Sequence, residues 1–305
     1  MKMNRSVKKV LKKVAFKKVA KSSLPLVDFL ILFFKQVQVD NINSKANAMA
    51  FNFMMAIFPG IIFLFTLIPY FPIPNLQEQL IDFLSDAIPN SIYAMLRETI
   101  EDIISKPRGG LLSFGFIFAL YAAMNGTLSM MNSFDECYKS SEKKRGFFQG
   151  RLTALILTLI NALVLIVSVS ILLLGEQVLD YLYTFHQISQ FNYYLLLLVR
   201  YVTAIFSFFL LTAVIYYFAP SVHTRWSFFS FGAFVATALN ILVTVAFSIY
   251  LSNFATYNKL YGSIGTIIAL MLWLYLTSIV LLIGFEMNAV LEMVKDDEKA
   301  QKEKA

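Results

Sequence analysis

Residues 152–175 read LTALILTLINALVLIVSVSILLLG, twenty-four positions without an Asp, Glu, Lys or Arg. A helix crosses the hydrocarbon of a bilayer with about 20 mostly apolar residues. Five other stretches are equally free of charge: 46–77, 109–134, 201–224, 226–258 and 260–285. Backbone N–H and C=O groups cannot stay unpaired in hydrocarbon, so each stretch reads as a helix. The strands of a membrane barrel would instead alternate apolar and polar residues. Leu195–Val199 and Ile267–Leu276 are continuous apolar runs.

Composition points the same way. Of 305 residues, 58% are hydrophobic and only 15% charged, whereas soluble domains average about 25% charged. Disorder, collagen and coiled coil are excluded by such low charge and high apolarity. The expected fold is all-α: a polytopic membrane protein with six transmembrane helices, plus amphipathic surface helices. The spans fall at about 48–70, 111–131, 152–174, 195–218, 228–250 and 262–292. They form a membrane domain over 46–292, between a basic N-terminal segment (1–45) and a charged tail (293–305). The last helix is longer than a bilayer requires, so tilting or projection beyond the membrane is expected.

Six spans place both ends of the chain on one side, and the excess of Lys and Arg marks the cytoplasmic side. The N-terminal segment, the 132–151 loop, the turn at Arg225 and the tail together hold 21 of these residues. The other side holds five: Arg97, Lys106, Arg108, Arg200 and Lys259. Both termini are therefore expected in the cytoplasm. The net charge of +7 reads as a topological and surface signal, with anionic membrane lipid as the partner and no nucleic acid. The first 21 residues carry eight Lys, one Arg and no acid, and lack the apolar core of a cleavable signal peptide. They read as a basic amphipathic helix on an anionic leaflet or as a solvated tail. Leu24–Val39 reads as a helix along the inner face. Residues 75–105, with apolar faces at helical spacing on both sides of Pro89, read as an extracytoplasmic helical hairpin.

Sequence evidence for chemistry is sparse. There is no phosphate-binding Gly-rich loop, no G-x-S-x-G elbow and no HExxH motif. Cys137 is the sole cysteine; it reads as a loop bystander that cannot form an internal disulfide. Asp135-Glu136 read as a solvated charge cluster. No catalytic residue, metal site or cofactor is expected. The informative residues are polar groups inside or at the ends of spans. Glu286 is the only acid within the six apart from Glu292 at the last position of the sixth, and an ionisable group in a membrane is a functional candidate because lipid exposure is costly. It lies about 36 Å along the last helix at 1.5 Å per residue, near the inner interface, where pairing with Arg225 or Arg151 is the structural alternative. Asn288 stands two residues on. Asn52 and Pro59 mark the first span, which either breaks to line a cavity or merely kinks. Asn125 sits in the second span. Arg200, at the outer end of the fourth, either snorkels or binds an anionic headgroup. Tyr261 and Gly262 enter the sixth.

Several of these residues belong to a longer pattern. Tyr217-Phe218-Ala219-Pro220, Arg225-Trp226, Phe231-Gly232-Ala233, Ser248 to Phe254, Tyr257, Tyr261-Gly262-Ser263-Ile264-Gly265, Leu272-Trp273-Leu274-Tyr275 and Gly284-Phe285-Glu286-Met287-Asn288-Ala289 follow one another in an order that resembles the YihY/BrkB family of bacterial inner-membrane proteins. Ala48-Met49-Ala50-Phe51-Asn52 with Phe58-Pro59 is similar to the family's first span, so the resemblance covers about 40–292. The chain departs from it at Phe285, where a small residue is expected, and at Phe51, where tyrosine is usual. The resemblance implies a six-span helical membrane protein. It also carries a ribonuclease BN label, which the residues do not support: a metal-dependent nuclease needs clustered His and Asp ligands. The chain has only His186 and His223, expected on opposite sides of the membrane.

The leading functional expectation is transport of a lipid, lipid-linked or other amphiphilic substrate through a cavity near spans one, four and six. A non-transporting scaffold that recruits a partner to its basic face is the alternative. An intramembrane enzyme acting on lipid would need a titratable cluster that the sequence does not display.

Overall fold

The computed structural model describes residues 26–70, 106–137, 145–186, 190–221, 227–252 and 263–304, with the isolated residues 78, 81 and 102. The basic residues 1–25, nearly all of the expected hairpin at 75–105, and Tyr261 and Gly262 lie outside the described residues. Every described element is helical. In chain order they are α1 (Leu26–Val39), α2 (Ile42–Leu67, extended by a 3-10 turn at Ile68–Tyr70), α3 (Gly109–Cys137), α4 (Phe147–His186), α5 (Gln190–Phe218), α6 (Phe231–Ser252) and α7 (Ser263–Lys304).

Six segments are long and apolar enough to span a membrane: Ile42–Tyr70, Gly109–Cys137, Phe147–Ile171, Tyr201–Phe218, Phe231–Leu251 and Ile267–Val294. Few of their residues are buried by protein. Phe114, Ile166, Val202 and Val245 are among many large apolar side chains left exposed, as expected of helices whose outer faces contact lipid. α7 continues through 42 residues, about 63 Å at 1.5 Å per residue, so it projects well beyond its span. Pro59 does not break α2. The helix is continuous from Ile42 to Leu67, with Pro59 buried inside it, which removes the broken-span reading.

Each span packs on its sequence neighbours, and α7 closes the ring against α2 while also touching α3 and α1. Tight packing concentrates at one end, where α2, α4 and α6 begin, α3 and α5 finish and the middle of α7 passes. This is termed the proximal end. Without a strong hydrophobic drive between helices in lipid, association rests on close packing and interhelical hydrogen bonds. Both are present here. α6 and α7 meet backbone to backbone. A Cβ on Gly232 would collide with the Gly284 carbonyl oxygen and approach the Asn288 side chain to 2.7 Å. One on Gly284 would lie 2.5 Å from the Tyr216 hydroxyl and 2.6 Å from Ala236 Cβ. Tyr216 donates to the Leu281 carbonyl at 2.6 Å. Phe285 stacks on Phe134 with centroids 4.2 Å apart, and Tyr216 meets both rings edge-on. This triad fastens α3, α5 and α7 together, and Phe285 is one of its three members.

The helix ends at this face are closed by distant residues. The first N–H groups of a helix have no partner within it. At α6, Gly232 N–H donates to Asn288 Oδ1 at 2.7 Å, and Ala233 N–H donates to Ser230 Oγ at 3.3 Å. Asn288 Nδ2 in turn donates to Ser230 Oγ at 2.8 Å. The last carbonyls of α5 are gathered by Arg145, which donates to Phe218, Ala219 and Pro220 at 3.1, 2.6 and 2.6 Å. Burial lowers the Arg145 guanidinium pKa and Asp135 opposes that shift. Asp135 also accepts from Ser221 N–H at 2.7 Å, and Glu136 lies 3.8 Å from Lys45. Asp135 is thus built into a helix end rather than simply solvated, while Glu136 remains exposed.

Two stability outcomes follow. Gly232→Ala and Gly284→Ala force packed backbones apart, at about 1–3 kcal/mol or more. They should lower the thermal unfolding midpoint in detergent. Gly60→Ala and Gly110→Ala, where nothing lies within 4 Å of an added Cβ, should leave it unchanged or raise it slightly. Arg145→Gln should destabilise strongly by leaving buried carbonyls under-satisfied. Equal melting of Arg145→Gln and the parent protein would remove the clamp.

Candidate functional site

The first-span asparagine is a local contact: Asn52 Nδ2 donates to Ala48 O of its own helix at 2.8 Å. Asn125 is half-buried on α3 and interacts with Tyr121, as does Arg151. Arg200 lies on α5, with its side chain outside the described set. Asn288 is fully engaged in capping α6. Glu286, two residues earlier and about 200° around the helix, faces elsewhere. The structure therefore does not gather Asn52, Asn125, Glu286 and Asn288 around one cavity.

What Glu286 faces is a cluster the sequence reading did not assemble. The carboxylates of Asp40 and Glu286 and the thiol of Cys137 each offer a ligand atom, and these atoms lie within 4.8 Å of one another. All three residues are buried, with Glu286 and Cys137 at 0% exposure and Asp40 at 4%. Lys45 reaches in from α2 and donates to Cys137 Sγ at 3.4 Å. Its side chain is 11% exposed, and it also pairs with Glu136. Arg151 does not serve Glu286: its guanidinium lies over the Phe147 ring, 4.7 Å from the centroid. Neither oxygen of Glu286 accepts a hydrogen bond of proper geometry, although both are enclosed.

Local structure explains how the four groups meet. α1 and α2 are joined by a two-residue elbow, Asp40-Asn41. Asn41 has φ 48° and ψ 48°, a left-handed conformation that Asn tolerates better than most residues. That turn points Asp40 inward, and Gln36 Nε2 holds its carboxylate at 2.5 Å. Lys45 follows one turn into α2. Cys137 ends α3 on the face that buries Met130 and Phe134, so it lies on the core side rather than in a loop. The signals were present in sequence. Cys137 is three residues after Phe134 and seven after Met130, in phase with a buried helical stripe, and Asp40-Asn41 is a turn pair.

Two grooves adjoin the bundle. One, of about 380 Å³, lies where the elbow meets α7. It is lined by Gln38, Asn41, Asn43 and Ser44 on its polar side and by Val37, Ile42, Ile279 and Ile283 on its apolar side. The other, of about 460 Å³, lies between α5 and α6. Its lining is almost wholly apolar, including Val202, Phe206, Phe209 and Ile241.

Lys45→Met should cost far more stability than Lys106→Met. Lys45 faces a buried acid cluster, where loss of the compensating charge is expensive. Lys106 is 72% exposed in its pair with Asp102, and such surface pairs contribute little. Thermal melts of both variants in one detergent compare them directly; equal melting would mean that Lys45 does not compensate the cluster.

Residues 33–305 match the virulence factor BrkB family. The ribonuclease-like protein YfkH of Bacillus subtilis is 30% identical, with 88% of this chain and 97% of that protein covered. UPF0761 membrane proteins of Haemophilus influenzae and Vibrio campbellii are 23% and 24% identical. Their alignments cover 89% and 92% of this chain, and 97% and 86% of the relatives. No solved structure matches the chain. A family match over residues 33–305, with a 30% identical relative aligned along nearly its whole length, leads to one conclusion: the chain belongs to the virulence factor BrkB family.

Proposed function

We propose that this protein moves an amphiphilic molecule, a lipid or lipid-linked compound, across or within the cell membrane, and that it is not an enzyme. The observation that carries the reading is the groove at the α1–α2 elbow. Its lining is divided by chemistry, with Gln38, Asn41, Asn43 and Ser44 suited to a polar head and Val37, Ile279 and Ile283 to an apolar tail. Ligand sites commonly combine an apolar wall with a few placed polar groups. The apolar α5–α6 groove suits an acyl chain. The groove adjoins spans one and six, two of the three expected from sequence. Asp40, at the same elbow, ties it to the buried cluster.

In this reading both termini face the cytoplasm, on the 21-to-five distribution of Lys and Arg, and the basic segments rest on anionic lipid. The protein takes no nucleic acid. The scaffold alternative cannot be probed at Arg145, because this member of the basic loop is committed to the carbonyls closing α5. A charge reversal there would damage the fold before it tested recruitment.

Purified protein in vesicles of phosphatidylethanolamine and phosphatidylglycerol, with a trace of headgroup-labelled lipid, should accelerate exchange of label between leaflets. Asn43→Leu and Ser44→Leu should slow it several-fold with normal insertion. Exchange no faster than in empty vesicles, for both labelled phosphatidylglycerol and a labelled lipid-linked sugar, would contradict the reading. Reporter fusions at residue 305 should be active only with a cytoplasm-dependent reporter.

A further inference from the structure

We propose that Asp40, Cys137 and Glu286 form a binding site for one divalent transition-metal ion of the zinc type. The inference goes beyond the transport reading and does not rest on it.

Three observations carry it. The first is geometric. One ligand atom from each residue lies within 4.8 Å of the other two. A metal bound at about 2.0–2.2 Å to oxygen and about 2.3 Å to sulfur brings such atoms somewhat closer together. Small side-chain rotations accomplish that. The ligands come from three separate places in the chain, the α1–α2 elbow, the end of α3 and the middle of α7, so they meet only in the folded bundle.

The second is the state of Glu286. It is fully buried, both oxygens are enclosed and neither accepts a proper hydrogen bond. Buried polar atoms are almost always satisfied, and an exception calls for an explanation such as a bound ion. Glu286 is directed at Asp40 and Cys137, so a cation between them would satisfy it.

The third is charge. Once the thiol gives up its proton to ligate a metal, two carboxylates and a thiolate carry three negative charges. Lys45, 3.4 Å from the sulfur, supplies one positive charge. A divalent ion would offset negative charge that is costly to bury in a low dielectric. Glu136, the other acid facing Lys45, is 58% exposed, so water screens it. Ligand type selects the metal. A thiolate with two carboxylates favours zinc, cobalt or iron over magnesium or calcium, which take oxygen alone. Three protein ligands leave a fourth position open. Gln36 holds Asp40 in the manner of the outer partners that orient metal ligands.

The test uses the full chain in detergent, stripped with chelator and titrated with Co²⁺. Cobalt–thiolate ligation gives a near-ultraviolet charge-transfer band, and Cys137 is the only thiol present. The expected result is a band saturating at one equivalent and abolished by Zn²⁺. Its apparent affinity should fall at least about tenfold in Glu286→Gln and in Asp40→Asn, both isosteric. Zn²⁺, but not Mg²⁺, should raise the unfolding temperature of the parent protein. Absence of the band, or an unchanged midpoint in either variant that remains monodisperse, overturns the site. If neither variant folds, the parent protein decides: no Zn²⁺-specific rise in unfolding temperature also overturns it.

Discussion

The contact of Gly232 with Gly284 is the constraint from which the proximal end is built. In lipid, helices gain little from burying apolar surface against one another, so a bundle needs close packing and interhelical hydrogen bonds. A backbone crossing that any Cβ would obstruct sets the spacing of α6 and α7. It brings Asn288 Oδ1 onto the Gly232 N–H of α6 and the Tyr216 hydroxyl onto the Leu281 carbonyl. With α7 thus fixed, Phe285 stacks on Phe134 of α3, and the next residue, Glu286, faces the end of that helix.

The buried ionisable group follows from this packing. A lone carboxylate enclosed among apolar helices would be costly. The fold surrounds it with groups that give it a role: Asp40 from the elbow, Cys137 from α3 and Lys45 from α2. Other charge at this end closes helices, with Arg145 on the carbonyls that end α5 and Asp135 on Ser221. Acid and base therefore divide into two sets. One finishes secondary structure. The other forms a buried polar cluster at the elbow that also borders a groove whose walls are half polar and half apolar.

Much of this was legible in sequence, for physical reasons. Six charge-free stretches of 24 or more residues admit few structures other than membrane helices, and all six appear. Glu286 was identifiable because acids are rare in spans. The continuous path of α2 through Pro59 was not, since proline permits either a kink or a break depending on what neighbouring helices provide. Asn288 looked like a cavity contact; its role as a cap depends on where α6 begins relative to α7, a tertiary fact. Cys137 reads as a loop residue because the charge-free run stops at Phe134, ahead of Asp135-Glu136. The buried stripe of α3 runs past them by one turn. Asp40 and Lys45 were passed over because they lie outside the charge-free runs. A cluster assembled from three distant positions has no local spacing to reveal it.

The account depends on the α1–α2 elbow turning Asp40 toward Cys137. Because the chain has one cysteine, a single substitution tests this. Asp40→Cys places a second sulfur beside the first, whereas Val39→Cys places one on an exposed position, 54% accessible. Mild oxidation in membranes, followed by intact-mass measurement under denaturing conditions, reads the outcome. The account predicts an intramolecular disulfide, a loss of two hydrogens, in nearly all of Asp40→Cys and almost none of Val39→Cys. Free thiols in both variants, or equal cross-linking in both, would contradict it.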